Sequence, residues 1–336
     1  MKILVTGGCG FMGSDFVRKA VIAGKEVVVV DKMTYAGDIK RLEEVKGEYK
    51  FYKCDIVNFE HLEKIFKKEK PKVVLHYAAE THVDRSILKP SDFVLTNVVG
   101  TFNLLEISKK YCVGKFIHIS TDEVYGELPK DKNLKFKETS PLRPKSPYAA
   151  TKAAADNLVS SYVKTYNFPA IIVRASNNYG FWQYPEKLIP LTISYAIFGK
   201  KIPIYGKGLN IRTWLFVEDF TKALFLVLKK GKVGEVYNIG SNEEIENIKV
   251  VKKILSYLGK DESLIEFIAD RPGHDLRYAL DITKISSELG WKAETKFEEG
   301  VKKTVNWYIN NLEWLKEKIK IVDSFVKKLK YNYSKI

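Results

Sequence analysis

The chain has 336 residues, 45% hydrophobic and 12% aromatic, which is ample for a large core and excludes a disordered segment. Its 56 basic side chains outnumber 41 acidic ones, a net charge of +15, but the lysines are scattered without the arginine-rich, aromatic-interleaved block of a nucleic-acid binder. No apolar run nears the length of a membrane span, and Cys9, Cys54 and Cys112 lie too far apart for a disulfide framework or a zinc ribbon.

Met1–Gly7 runs directly into a strand pattern with no secretory signal before it, so a reducing, cytoplasmic setting is expected. In chain order, strands are expected at Lys2–Thr6, Glu26–Asp31, Tyr49–Lys53, Val73–His76, Lys115–Ser120 and Pro169–Arg174. Amphipathic helices are expected at Met12–Ala23, Phe59–Lys68, Val98–Tyr111 and Tyr148–Tyr166. Strand and helix in alternation give a parallel sheet covered on both faces. The fold class is therefore α/β: a doubly wound Rossmann sheet that binds ligands at the carboxyl ends of its strands.

Residues 1–175 read as the Rossmann domain, with 210–240 returning to it through an apolar strand at Glu235–Ile239. Residues 176–209 and 241–315, broken by Pro185, Pro190, Pro203, Gly199, Gly206 and Gly208, read as a smaller α/β substrate lobe. Residues 316–336 form a basic tail. Val322, Phe325, Val326 and Leu329 recur there at helical spacing, which predicts a solvated helix packed on the body or on a second subunit, not on a membrane.

Thr6–Gly13 holds the pattern G-x-G-x-x-G (Gly8, Gly10, Gly13) between a strand and a helix, with Gly7, Gly10 and Gly13 as the expected cofactor glycines. The glycines permit a tight turn and a close backbone approach to a pyrophosphate at the helix N-terminus. Asp31 ends the second strand, where a carboxylate accepts both hydroxyls of an adenosine ribose and repels a 2′-phosphate, favouring NAD over NADP. Lys32 beside it pulls the other way. Asp55 and Ile56, after the third strand, are placed for the adenine edge.

Tyr148 and Lys152 stand at i and i+4 on one helix face. A free tyrosine is a poor base near neutral pH. An adjacent ammonium and a positive nicotinamide ring favour its phenolate, so it can take a hydroxyl proton while hydride leaves the same carbon. Asp122 and Glu123 follow a buried strand. They form either a solvated loop or an acid–base pair. Sharing a pocket requires the backbone to leave the strand there, because strand neighbours point to opposite faces.

These segments, with Asp31–Gly37, Ala78–Ser86, Ser120–Gly126, Ser146–Lys152, Arg174–Gly180, Pro185–Pro190 and Asp270–Asp275, resemble the extended short-chain dehydrogenase/reductases, and among them the nucleotide-sugar 4,6-dehydratases. The resemblance implies dehydration of dTDP-glucose with bound NAD. Tyr148, assisted by Lys152 and Thr121, would remove the 4-hydroxyl proton as NAD takes the C4 hydride; Glu123 would abstract the C5 proton; Asp122 would protonate the departing 6-hydroxyl; hydride would return to C6. It further implies cofactor contacts at Phe11, Met12, Met33, Thr34, Tyr77, Ala78, Ala79, Glu80, Thr81, Thr96 and Asn178. Sugar-nucleotide contacts are implied at Thr81, Thr121, Asn177, Lys187, Leu188, Pro203, Ile204, Tyr205, Arg212, Asn247, Asp270, Arg271, Pro272, Gly273 and His274. A homodimer through the helices Val98–Tyr111 and Tyr148–Tyr166 is implied as well, and no metal.

Phe181-Trp182 stands where the family has proline, and Thr213 and Phe220 replace an acid and a histidine, all expected on the nucleotide side. Two rivals share the scaffold: a UDP-sugar 4-epimerase or decarboxylase, which needs no carboxylate pair, and a catalytically silent NAD-binding sensor.

Overall fold

The computed structural model describes residues 1–333. Its strands are β1 (Lys2–Thr6), β2 (Glu26–Asp31), β3 (Lys50–Lys53), β4 (Val73–His76), β5 (Lys115–Thr121), β6 (Ala170–Ala175), β7 (Asn177–Tyr179), β8 (Ile202–Tyr205), β9 (Ile211–Phe216), β10 (Val236–Ile239), β11 (Glu244–Glu246) and β12 (Ile265–Ile268). Seven of them form one parallel sheet in the order β10-β6-β5-β4-β1-β2-β3. The direction of winding reverses between β1 and β4, and a crevice opens there at the strand ends. Thr6 Oγ1 and His76 Nδ1, 2.8 Å apart, tie those two ends together.

Both faces of the sheet are buried, so its strands read as unbroken apolar runs. Ile3, Val5, Val27, Val29 and Leu75 face a core with Phe16, Val17 and Leu224. Leu4, Val28, Val30 and Val74 face the opposite core with Phe66, Leu104 and Val159. Each such side chain contributes roughly 1.5–3 kcal/mol on burial. Local signals set the helix ends: Asn58 caps Phe59–Glu69 through His61 N, and Ser146 caps Pro147–Tyr166 through Ala149 N, with Pro147 at the first helical position. The latter helix stops at Asn167, which takes a left-handed φ of 51°.

The expected helix Val98–Tyr111 is regular only over Gly100–Lys110 and is preceded by a wider, π-type turn over Val94–Val99. Asn97 explains the widening. Its side chain is drawn inward to bond both the amide and the carbonyl of Glu80 and the Thr151 hydroxyl.

Of residues 210–240, the helix Val217–Lys230 packs against Phe11–Ile22 and β10 joins the main sheet beside β6. β9 does not join it. It pairs instead with β7 and β11 in a three-stranded sheet of the smaller part, where Trp214 and Phe216 are buried with Phe297 and Tyr308. A second small sheet pairs β8 with β12. The tail does not begin at residue 316: one helix spans Leu312–Tyr333, with Trp314 and Leu315 already buried. Residues 334–336 of that stretch lie outside the described residues. Among the described residues, no helix is long and apolar enough to cross a membrane.

Candidate active site

The carboxyl ends of β1, β4, β5 and β6 open into a cleft of about 420 Å³, closed on its far side by the smaller part. The glycine turn forms its floor. Gly7 has φ 68°, and a Cβ there would lie 2.7 Å from the Ala78 nitrogen; a Cβ on Gly13 would lie 2.3 Å from the Gly7 carbonyl oxygen. Only glycine allows this packing of turn against helix and strand. Asp31 accepts from the Cys9 amide (2.9 Å) and the Met33 amide (2.8 Å), one on each carboxylate oxygen. Burial raises the Asp31 carboxyl, and those two amides oppose the rise.

A side recess continues from this floor, lined by Lys32, Thr34, Asp55, Ile56, Ala78, Glu80 and Thr96. Lys32 is not free to meet a phosphate, since its Nζ pairs with Asp55 at 2.6 Å. The main cleft holds buried Ser176 Oγ, Asn177 Oδ1 and Asn178 Oδ1, none with a protein hydrogen-bond partner. A dinucleotide fits this donor and acceptor set: a glycine turn at a helix start, an acid at the end of β2, and unpaired amide oxygens beyond.

β5 ends at Thr121, whose hydroxyl accepts from the Glu123 amide at 3.2 Å and starts a single 3₁₀ turn over Asp122–Tyr125. The backbone leaves the strand at that point. Asp122 and Glu123 therefore line one cleft with Tyr148 and Lys152. Asp122 is buried, its Oδ2 has no hydrogen-bond partner, and burial together with the Glu123 charge pushes its carboxyl up to about 8. Burial also raises Glu123, but Arg271, Lys187 and Arg212 pull it down.

Burial and the Glu123 charge raise the Tyr148 hydroxyl, with hydrogen bonding to Thr121 opposing them. The Lys152 ammonium donates to the Ile119 carbonyl at 2.7 Å and lies 3.5 Å from His118 Nε2. Burial lowers it to about 8, with Asp156 opposing the fall.

Thr81, Asn177, Lys187, Leu188, Pro203, Ile204, Tyr205, Arg212, Asn247, Arg271 and His274 line the cleft, as do Gly10, Phe11, Met12, Tyr77 and Ala79. Four expected contacts lie elsewhere. Met33 is turned into the core beside the main sheet and offers Asp31 only its amide. Asp270, Pro272 and Gly273 stand behind the wall. Asp270 accepts from the Arg271 amide at 2.9 Å and lies 2.6 Å from His274 Nδ1, so it fixes the histidine that does face the cleft. Gly273, at φ 66°, turns the chain against the Lys145 carbonyl.

The departures from the family pattern also lie off the cleft. Phe181 and Trp182 pack against Trp307, Phe220 is in the main core, and Thr213 is buried in β9. Arg212 is partly spent on structure, for its guanidinium donates to the Asp275 and Ile211 carbonyls and stacks 4.2 Å from Tyr278. Lining residues not expected at the site from sequence include Arg41, Glu186, Tyr278, Phe325, Val326 and Leu329. Only the helical spacing of the last three marked them as inward-facing.

A profile of the GDP-mannose 4,6 dehydratase family matches residues 4–304. The chain belongs to this family. Among its relatives, a dTDP-glucose 4,6-dehydratase of Haemophilus influenzae is 49% identical over 93% of this chain and 98% of its own. A Bacillus anthracis dTDP-glucose 4,6-dehydratase, solved in complex with NAD, superimposes with a TM-score of 0.87 at 45% identity, over 94% of this chain and 99% of its own. A Streptomyces venezuelae enzyme of the same name, solved with NAD and TYD bound, gives 0.89 at 42%, over 94% and 98%. For this member of the family, the aligned part takes in the glycine turn, the carboxylate pair and the Tyr148–Lys152 helix.

Proposed function

We propose that this chain dehydrates dTDP-glucose to dTDP-4-keto-6-deoxyglucose with bound NAD. One observation carries the reading: the cleft that holds Tyr148 and Lys152 also takes in two consecutive carboxylates, Asp122 and Glu123. A 4-epimerase or a silent NAD-binding sensor has no use for that pair, and burying it is costly.

The glycine turn and Asp31 would hold NAD, which would supply the acceptor for the C4 hydride and its donor to C6. Tyr148, with the Thr121 hydroxyl beside it, takes the proton of the 4-hydroxyl, and an ammonium at Lys152, four residues on along the same helix, is the cation that would favour the phenolate. The 4-ketone acidifies C5–H. Glu123, whose charge Arg271, Lys187 and Arg212 favour against the burial that raises it, removes that proton. Asp122 remains protonated through neutral pH and gives its proton to the departing 6-hydroxyl, which leaves as water. Hydride leaves the sugar once and returns once, so the cofactor ends as it began and no second substrate is needed.

Lys187 and Arg271 suit the diphosphate, with Arg212 offering one edge of its guanidinium. Asn177, Asn247, Pro203–Tyr205 and His274 fit the sugar and base. In this reading residues 1–175 with the helix Val217–Lys230 and β10 bind the cofactor, and the remainder binds the sugar nucleotide. The working form is a cytoplasmic homodimer paired through the helices Gly100–Lys110 and Pro147–Tyr166.

Incubation of the protein with NAD and dTDP-glucose should yield a product lighter by one water in mass spectrometry. An unchanged mass with altered sugar stereochemistry would move the assignment to an epimerase.

A further inference from the structure

The helix Leu312–Tyr333 lies beyond residue 304, where the family profile ends, yet it reaches the cleft. Its first turns are pinned beside the glycine turn. Trp314 Nε1 and Lys318 Nζ both bond the buried Asp38, at 2.8 and 2.9 Å, and Glu317 pairs with Lys40 at 2.7 Å. Its later turns are held by the smaller part, where Asp323 pairs with Lys200 and Lys330 with Glu266. Val322 and Val326 pack between, against Leu191 and Ile204. The helix thus bridges both sides of the cleft, and Phe325, Val326 and Leu329 form part of its wall.

Phe325 completes a stack. The Arg85 guanidinium lies 4.0 Å from the Phe325 ring centre on one side and 3.8 Å from that of Tyr35 on the other. The same guanidinium pairs with Glu186 at 3.1 Å, and the Tyr35 hydroxyl donates to Glu186 at 2.8 Å. Tyr35 follows β2 and Arg85 follows β4, on the cofactor side; Glu186 leads into the helix Leu188–Ile197 of the smaller part. The rings cover much of Arg85, which stays a quarter exposed, and Glu186 is buried, so this pair is screened less than a surface salt bridge. Lys187 and Leu188, next in sequence, line the cleft. Slack at Glu186 therefore passes directly to the groups that grip the sugar nucleotide.

We propose that the C-terminal helix is a strap that sets the width of the cleft, with Phe325 as the positioning residue that holds Arg85 onto Glu186. The inference rests on the substrate reading above and adds to it a wall outside the part of the chain that the family profile matches.

The test compares the unaltered chain with Phe325→Ala, Phe325→Leu and Phe325→Tyr, loaded with NAD. Removing the ring is expected to raise KM for dTDP-glucose about ten-fold, the scale of a shielded cation–π contact, while kcat holds within about two-fold. Amide exchange should accelerate in residues 34–37 and 184–188 and not across the molecule. Phe325→Tyr should restore both readouts. Phe325→Leu keeps the apolar bulk without the ring face, so it should behave as Phe325→Ala does and serves if the alanine variant fails to fold.

An unchanged KM in a folded variant, or exchange that rises uniformly, overturns the strap. If the unaltered chain leaves dTDP-glucose untouched, the substrate reading falls. The exchange comparison then decides the strap without it.

Discussion

The Lys152 ammonium donates to the Ile119 carbonyl at 2.7 Å, the last carbonyl but one before Thr121 on the strand that delivers the carboxylate pair. The lysine thus fixes the helix Pro147–Tyr166 to the end of β5, in addition to supplying charge near Tyr148. Its own pKa of about 8, lowered by burial, leaves it only partly charged in mildly alkaline solution. Lys152→Met removes both the charge and this tether. Oxidation at C4, followed in a single turnover by the absorbance of reduced nicotinamide, should slow by about 10²-fold or more. Equal rates would confine Lys152 to a structural role.

Asp122 and Glu123 should separate the later steps. With Glu123→Gln, C4 oxidation continues while exchange of the C5 proton with deuterated solvent stops. With Asp122→Asn, that exchange continues while loss of water slows by about 10²-fold. If both variants lose both signals, the two carboxylates act as one unit and the roles assigned here are wrong.

Asp122 also makes a stability prediction. Burial raises its carboxyl to about 8, above the ordinary range near 3.8. The folded state then holds a proton that the unfolded state has released. Stability from this group is complete below pH ~4 and is lost as pH rises through about 8. Asp122→Asn cannot ionise and escapes that loss. Its stability relative to the parent, by denaturant titration with the cofactor stripped, should therefore improve by ~4 kcal/mol between pH 5 and pH 9. A difference that is flat with pH would mean Asp122 ionises freely in the folded chain.

The glycine turn can be probed without substrate. A Cβ on Gly13 would meet the Gly7 carbonyl oxygen at 2.3 Å, and backbone cannot yield as a side chain does. Gly13→Ala should open the turn and weaken NAD binding by at least about ten-fold, read by titration calorimetry, with a lowered melting temperature. Undiminished binding would show that the turn does not carry the pyrophosphate.

How much of this was legible from sequence depended on the range of the interaction. The sheet, the glycine turn with Asp31, and the Tyr148–Lys152 face each depend on residues within one or two elements, and periodicity or spacing reveals them. The exit of Asp122 and Glu123 from the strand was legible only as a requirement. What meets it is the Thr121 hydroxyl bonding the Glu123 amide, a local cap that the sequence permits without demanding. The Arg85–Glu186 pair spans about a hundred residues of sequence, and Phe325 joins it from near the chain's end. No local pattern encodes such a meeting. The same limit misplaced Asp270, Pro272 and Gly273. Resemblance identifies a segment, but only the folded chain decides that His274 faces the cleft and Asp270 stands behind it.

The proposed dimer can be tested on the outer side of residues 94–110. Asn97, Thr101 and Asn103 are buried, bonding Glu80, Thr151, His76 and the carbonyls of Ile56 and Val57. These polar side chains face inward together with Leu104, Leu105 and Ile107, whereas Leu95, 48% exposed, and Phe102, 44% exposed, leave an apolar patch on the outer side. A second copy covering that stripe takes it out of water. Light scattering should report a dimer for the unaltered chain and a monomer for the double variant Leu95→Lys, Phe102→Glu. Since neither side chain touches the cleft, that monomer should still bind NAD. An unaltered chain that scatters as a monomer would leave the exposed stripe without this explanation.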